Sequence, residues 1–404
     1  MPVGYSQLPE LSSVAGIRLS VQAARVRYEG RDDLVVMELA EGSRCAAVFT
    51  RNAFCAAPVV VARQHLAEVM PRYLVINTGN ANAGTGEGGL ADAKQCCQAL
   101  AALTGCKVKE VLPFSTGVIG EPLPVETITQ ALPAAIAQLQ DAGWNDAAWG
   151  IMTTDTQPKL VSQTITLKGK PITITGMAKG AGMIRPDMAT MLAFITTDAQ
   201  LQPELLQACL QDAVAQSFNR ITVDGDTSTN DACVLCATGQ SGIEVPAGGE
   251  DNEAFRQGLT EVCVELAKGI VRDGEGATKL INIQVNGGRN STECLATAYT
   301  VAHSPLVKTA FFAADPNWGR ILATVGRAGI SDLDIKAVDI YLDEVCIVRK
   351  GERESEYTEE QGQAVMDRNE ITVLIELGRG TDSANVWTCD FSYDYVRINA
   401  EYRT

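Results

Sequence analysis

Apolar runs of strand length alternate with amphipathic stretches of helix length along nearly the whole chain, and this alternation restricts the fold to a mixed class. Leu74-Val75-Ile76 reads as a buried strand entering the loop NTGNANAGTGEGG (77–89). A helix of about 15 residues then carries Leu90, Ala93, Cys97, Leu100 and Leu103 on one face. Residues 163–175 alternate as a hairpin, with Ile165 and Leu167 before a Lys168-Gly169 turn and Ile172 and Ile174 after it. Pro203 opens a helix with Leu205, Leu206, Cys209, Leu210, Ala213 and Val214 at helical spacing, and residues 252–268 turn Phe255, Leu259, Val262 and Leu266 inward. Strands are expected at 371–377 and 386–395. No repeat of fixed period interrupts the pattern. The expected class is α/β (α+β), layered sheets with helices outside. A chain of 404 residues exceeds one compact core, so two or three domains are expected. The change at Asn286-Gly287-Gly288 marks the boundary, giving domains 1–285 and 286–404.

The formal charge of -16 opposes general affinity for nucleic acid or anionic membrane, and no Lys/Arg block offsets it. No apolar run is long enough to span a bilayer, and MPVGYSQLPE carries no signal-peptide pattern, so a cytoplasmic location is expected. Twelve cysteines in that setting read as reduced, mostly buried thiols. The pair Cys233 and Cys236 falls in the apolar stretch ACVLCA, where a strand would send the two sulfurs to opposite faces, against a metal or redox role. Only two histidines occur, His65 in a polar helical patch and His303 beside Pro305 at a helix end. Both suit surface or cap positions. Catalytic triads and His-rich zinc sites are thereby poorly supplied.

Residues 84–89, GTGEGG, formally match the dinucleotide fingerprint. However, Gly84 lies eight residues after Ile76, and Glu87 would place a carboxylate against the pyrophosphate. The segment from Asp224 to Asp231 resembles a calcium loop, but its sixth position is Thr229 and its twelfth Leu235. Local Asx and Ser/Thr hydrogen bonds account for it as a structural loop near a site.

The stretch GMIRPDMATMLAFITTDA (182–199) is harder to place, because a β-prone run opens on Thr190 after the small Ala189 and a loop holding Gly182 and Pro186. One reading is a buried strand that begins on threonine. The other is a nucleophile. A threonine hydroxyl needs a base, and an N-terminal threonine supplies its own α-amine, with a pKa of about 7.7–8.0. An internal Thr190 reaches that state only if the Ala189–Thr190 bond is broken, by attack of its hydroxyl on the Ala189 carbonyl and hydrolysis of the resulting ester. PFSTGVIG (113–120) reads as a turn after the strand Val111-Leu112, able to aim an N–H and a hydroxyl at an oxyanion. Lys179 adds a cation eleven residues before Thr190.

KGAGMIRPDMATM (179–191), PFSTGVIG (113–120), IMTTDT (151–156), DGEGATK (273–279) and INAEYRT (398–404) resemble the ornithine acetyltransferases of arginine biosynthesis, glutamate N-acetyltransferases of the ArgJ type. AAVFTRNAF (46–54), INTGNANAGTG (76–86) and DPNWGR (315–320) extend the likeness over essentially the whole chain. The resemblance implies a layered αββα sandwich with a smaller C-terminal α/β domain. It also implies cleavage between Ala189 and Thr190 into chains that stay together, usually as α2β2. Thr190 would carry acetyl from N2-acetyl-L-ornithine to L-glutamate by a ping-pong route. Thr116 and Gly117 match the oxyanion hole, and Thr153, Lys179, Thr190, Glu275, Asn399 and Thr404 match substrate-binding positions. No metal or cofactor is called for. Whether acetyl-CoA serves as a second donor stays open, and a related self-cleaving amidohydrolase or aminopeptidase is the alternative.

Overall fold

The computed structural model describes residues 3–4, 11–185 and 191–401. Two compact units emerge: the larger comprises 7–219 and 226–270, the smaller 1–6, 220–225 and 271–404. The division falls at 270/271 rather than at 285/286. Leu280–Gly288 is a strand paired on both edges, so a boundary at 286 would cut through a sheet.

Two sheets form the centre of the larger unit. One has four strands in the order Ile17–Gln22, Leu34–Leu39, Tyr73–Asn80, Val111–Val118. The other has five, in the order Arg44–Phe49, Ala232–Ala237, Leu192–Thr197, Lys170–Lys179, Lys159–Leu167. Alternation along each strand gives each sheet an inner and an outer set of side chains. Leu19, Met37, Ile76 and Phe114 of the first sheet share one buried cluster with Leu160, Met177, Phe194 and Val234 of the second. Phe114 and Phe194 meet edge to face, 5.1 Å between centroids. The alternate residues Leu34, Val36, Val75 and Val111 bury against Cys97 and Leu100 of helix Gly86–Thr104 and Leu132 of helix Val125–Ala137. Across the second sheet, helix Glu250–Arg272 approaches so closely that a β carbon on Gly176 would stand 3.0 Å from a Leu266 methyl. Helix Pro203–Gln216 packs against Arg44–Phe49. The order of layers is αββα.

The smaller unit is built on a seven-stranded sheet, with Leu280–Gly288 between Glu370–Glu376 and Asp382–Cys389. Helices Ser291–Ala302, Pro305–Phe312, Trp318–Gly326 and Glu359–Met366 contribute Ala298, Phe311, Val325 and Val365 to its core. It is an α/β unit.

Several local expectations change. Leu103 is exposed, because the buried stripe of its helix runs through Ala93, Cys97, Leu100 and Ala101. The strand expected at 386–395 ends at Cys389. Ser392 then caps a helix, Tyr393–Ala400, by accepting the Asp394 N–H. His65 is buried rather than superficial, its Nδ1 2.8 Å from the Val111 carbonyl. His303 does stand at a helix C-cap. All twelve cysteines are free thiols. Cys236 lies in the core between the sheets and faces Cys45, whereas Cys233 neighbours Cys263 of the outer helix. The hairpin turn has the expected place, with positive φ at both Lys168 and Gly169.

Candidate active site

In the larger unit, Ser115, Thr116 and Gly117 belong to the strand Val111–Val118, not to a turn after it. The strand runs parallel to Tyr73–Asn80, with Thr78 opposite Thr116 and Gly79 opposite Gly117, and the register slips at Gly79/Asn80. A bulge at that point ends regular pairing and re-aims the chain. Gly117 has φ 138°, and a β carbon there would lie 2.2 Å from the Gly79 carbonyl carbon. Only glycine fits. Polar side chains then lock this strand end in place. Asn230 donates to the carbonyls of Ala81 (2.6 Å) and Ser115 (2.9 Å), while the Ser115 hydroxyl donates to Asn77 Oδ1 at 2.6 Å.

Lys179 closes the strand Lys170–Lys179 and is largely buried. Its Nζ donates to Thr153 Oγ1 at 2.8 Å and to Thr116 Oγ1 at 3.2 Å. Three residues singled out from the sequence thus meet at one ammonium group. Beneath them sits Asp155, which sequence reasoning had quoted within IMTTDT without assigning it a role. Oδ1 accepts from Lys159 Nζ at 2.5 Å and from the Gly180 N–H at 2.7 Å. Oδ2 accepts the Thr153 N–H at 2.9 Å and lies 3.9 Å from Lys179 Nζ. Burial would raise this carboxyl, but the charges of Lys159 and Lys179 and these hydrogen bonds outweigh it and hold its pKa well below the carboxylate range. Asp155 is an anion. Lys159 also escaped notice: it is the first residue of a strand opposite Ala178, so only the hairpin register brings it beside Lys179.

A second carboxyl behaves oppositely. Asp231 is buried, and its Oδ2 has no hydrogen-bond partner among the described residues. Burial pushes its pKa far up, against the Ser228 hydroxyl, the Lys179 charge and the Met191 amide. It is a neutral acid next to the amide that joins residues 190 and 191. The Asp224–Asp231 segment therefore delivers Asn230 and Asp231 to the polar end of the sandwich, where the sequence indicated only a structural loop.

The GxGxxG segment folds upon itself. Gly86, Gly88 and Gly89 lie in the helix Gly86–Thr104, and a β carbon on Gly89 would strike Thr85 Oγ1 at 1.9 Å. Thr85 donates to Asn82 Oδ1 at 2.7 Å, and Asn82 donates to the Gly89 carbonyl at 2.9 Å. Its glycines serve close packing of the loop rather than a pyrophosphate cradle.

In the smaller unit, Asn399 Nδ2 donates to Glu275 Oε2 at 2.7 Å, so these two predicted positions also meet. Ser392 Oγ donates to the Gly276 carbonyl at 2.6 Å, and Asp390 accepts the N–H groups of Thr278 (2.8 Å) and Lys279 (2.9 Å). The loop bearing Glu275 is therefore pinned on both sides. Ala189, Thr190 and Thr404 lie outside the described residues. Among the described residues, no group of acids, cysteines and histidines is placed to hold a metal ion, and no helix is long and apolar enough to cross a membrane.

The arrangement in the larger unit, an ammonium fixed by two threonine hydroxyls beside a glycine-dependent strand bulge, suits recognition of a carboxylate and stabilisation of a developing oxyanion. Comparison with known proteins agrees with the motifs. The ArgJ family model matches residues 18–404. The chain is 57% identical over its full length, and that of its relative, to the arginine biosynthesis bifunctional protein ArgJ of Pseudomonas fluorescens. It is 59% identical to the same-named protein of Methylococcus capsulatus, over 98% of this chain and 97% of that one. It also resembles the crystal structure of that bifunctional protein from Bacillus halodurans, with a TM-score of 0.50 and 40% identity across 52% of this chain and 99% of the other. This chain belongs to the ArgJ family.

Proposed function

We propose that the chain is a self-processing acetyltransferase of arginine biosynthesis that moves acetyl from N2-acetyl-L-ornithine to L-glutamate through an acetyl-Thr190 ester. Maturation begins when Thr190 Oγ attacks the Ala189 carbonyl carbon. The C–N bond breaks as the ester forms, and water hydrolyses that ester to leave a carboxylate on Ala189 and a free amine on Thr190. In turnover that amine takes the hydroxyl proton as Oγ attacks the acetyl carbonyl of the donor, then returns it to the departing ornithine nitrogen. Glutamate's amine reverses the sequence and leaves as acetylglutamate. The Thr116 hydroxyl and the Gly117 N–H face the oxyanion, each donor being worth about 2.7–4 kcal/mol. Lys179 and Thr153 hold the substrate carboxylate, while Glu275, Asn399 and Thr404 bind the rest of the amino acid. Acetyl-CoA is a second donor, a reading supported by the word bifunctional in the relatives' names. The two products of cleavage remain together as α2β2 in the cytoplasm. The half-length match to the Bacillus chain supports a divided polypeptide.

The observation that carries this reading is the convergence of Thr116, Thr153 and Lys179. Intact-mass spectrometry with and without acetylornithine tests it. The expected result is two chains divided at 189/190, with acetyl added to the one that begins at Thr190. Thr190→Ala should stay a single chain and take up no acetyl; an active protein that remains undivided overturns the proposal. A self-cleaving hydrolase of the same build would instead release acetate at a rate that glutamate leaves unchanged.

A further inference from the structure

Two buried lysines share one buried carboxylate in the larger unit, and only one of them touches the predicted substrate-binding threonines. Lys159 Nζ takes Asp155 Oδ1 at 2.5 Å, with side chains 1% and 0% exposed. Lys179 stands 3.9 Å from the other oxygen and donates to Thr116 and Thr153. With a single carboxylate between them, the three side chains carry one net positive charge. Asp231, the other acid facing Lys179, is kept neutral by burial and does not cancel it. Had position 159 been apolar, Asp155 would neutralise Lys179. Had position 155 been neutral, two ammonium groups would face each other without an anion.

We propose that Lys159 is a positioning residue for substrate recognition: by engaging Asp155 it keeps the cluster at Lys179 one charge positive, and that charge holds the carboxylate of the amino-acid acceptor. The inference rests on the reading of Lys179 as a substrate-binding residue. Lys159 is too deeply buried to meet the substrate and acts through the field at Lys179. Asp155 fixes geometry as well as charge, since it also receives the N–H groups of Thr153 and Gly180.

Charge arithmetic in matured enzyme separates this role from simple structural support. The readout is the KM for glutamate at saturating acetylornithine, compared with kcat. Lys159→Met should raise KM about fivefold to tenfold with a smaller change in kcat, because the cluster becomes neutral. The double variant Asp155→Asn with Lys159→Met restores one positive charge on Lys179, so its KM should return toward the wild-type value. A purely structural pair predicts the reverse, a double variant no better than either single. Asp155→Asn alone leaves two ammoniums without their anion, which lowers the pKa of both. Its KM should therefore begin to climb with pH about one unit earlier than in wild type. Asp231 and the Thr190 amine are common to all variants and contribute equally. Lys179→Met provides the control. If it leaves KM for glutamate unchanged, the substrate role of Lys179 fails. If it raises KM while Lys159→Met does not, or the double variant is not restored, the role of Lys159 alone is overturned.

Discussion

Lys159 and Lys308 are both fully buried, yet the chain treats them in opposite ways. Lys159, in the larger unit, meets the ionised Asp155. Lys308, in the smaller unit, donates to Thr388 Oγ1 at 2.9 Å and to the Cys389 carbonyl, with its Nζ 4.5 Å from the centroid of the Phe391 ring. Burial lowers its pKa, and the nearby Cys389, Asp390 and Asp224 only partly restore it. One lysine keeps its charge because a carboxylate was buried with it. The other braces the end of a strand with neutral acceptors and an aromatic face. The difference teaches that burial of a cation does not by itself mark a site. The telling sign is a buried carboxylate provided for more than one cation, a costly arrangement that plain packing does not require.

The largest effect that could break this contrast is Asp155→Ala. It strands two ammoniums and should destabilise the larger unit by about 3–5 kcal/mol, read by urea unfolding followed by circular dichroism. Next is Thr116→Val, which removes one oxyanion donor and a partner of Lys179. It should cost about 10²–10³ in kcat with little loss of fold, measured by steady-state kinetics. Lys308→Met should be mild by comparison, within about 1.5 kcal/mol in either direction, because its neutral hydrogen bonds are exchanged for apolar packing. A loss as large as that of Asp155→Ala would erase the distinction.

The smallest effects are those of pH, and they sharpen the comparison of the two acids. The folded-state pKa of Asp155 is depressed, so its stabilising contribution is present above the unfolded carboxylate value and is lost as pH falls below that range. The folded-state pKa of Asp231 is raised, so its neutral form is tolerated in acid and opposes folding as pH rises above the unfolded value. Asp231→Asn should therefore gain stability relative to wild type at pH 7 and lose that gain near pH 4. Unfolding midpoints at the two pH values check the sign.

The sequence made the layers and the choice of site residues legible to different degrees. Periodicity gave the helices Gly86–Thr104, Pro203–Gln216 and Glu250–Arg272 and the 168–169 hairpin, because each is governed by neighbours along the chain. It misread 113–120 as a turn, since Ser, Thr and Gly are turn residues unless a parallel neighbour with its own glycine lies alongside, as Gly79 does. It also extended a strand through 390–395, where Ser392 caps a helix. Thr116, Thr153 and Lys179 were named through family motifs and not through spacing, for nothing in their separation shows that one ammonium unites them. Asp155 and Lys159 escaped because a lysine four residues after an aspartate is ordinary in any chain. Their meaning depends on strand register and on burial, which are properties of the assembled sheet.

The near contact of Gly117 with Gly79 has a consequence for anyone who would alter this enzyme. A β carbon at 117 would be driven into the main chain of the neighbouring strand, and one at 79 would come within 2.9 Å of the Arg27 β carbon. Neither obstacle can swing aside as a flexible side chain would. Randomised libraries that include these two codons will be dominated by unfolded members, so attempts to widen substrate choice should spend their diversity elsewhere and keep this pair as the fixed hinge-pin of the scaffold.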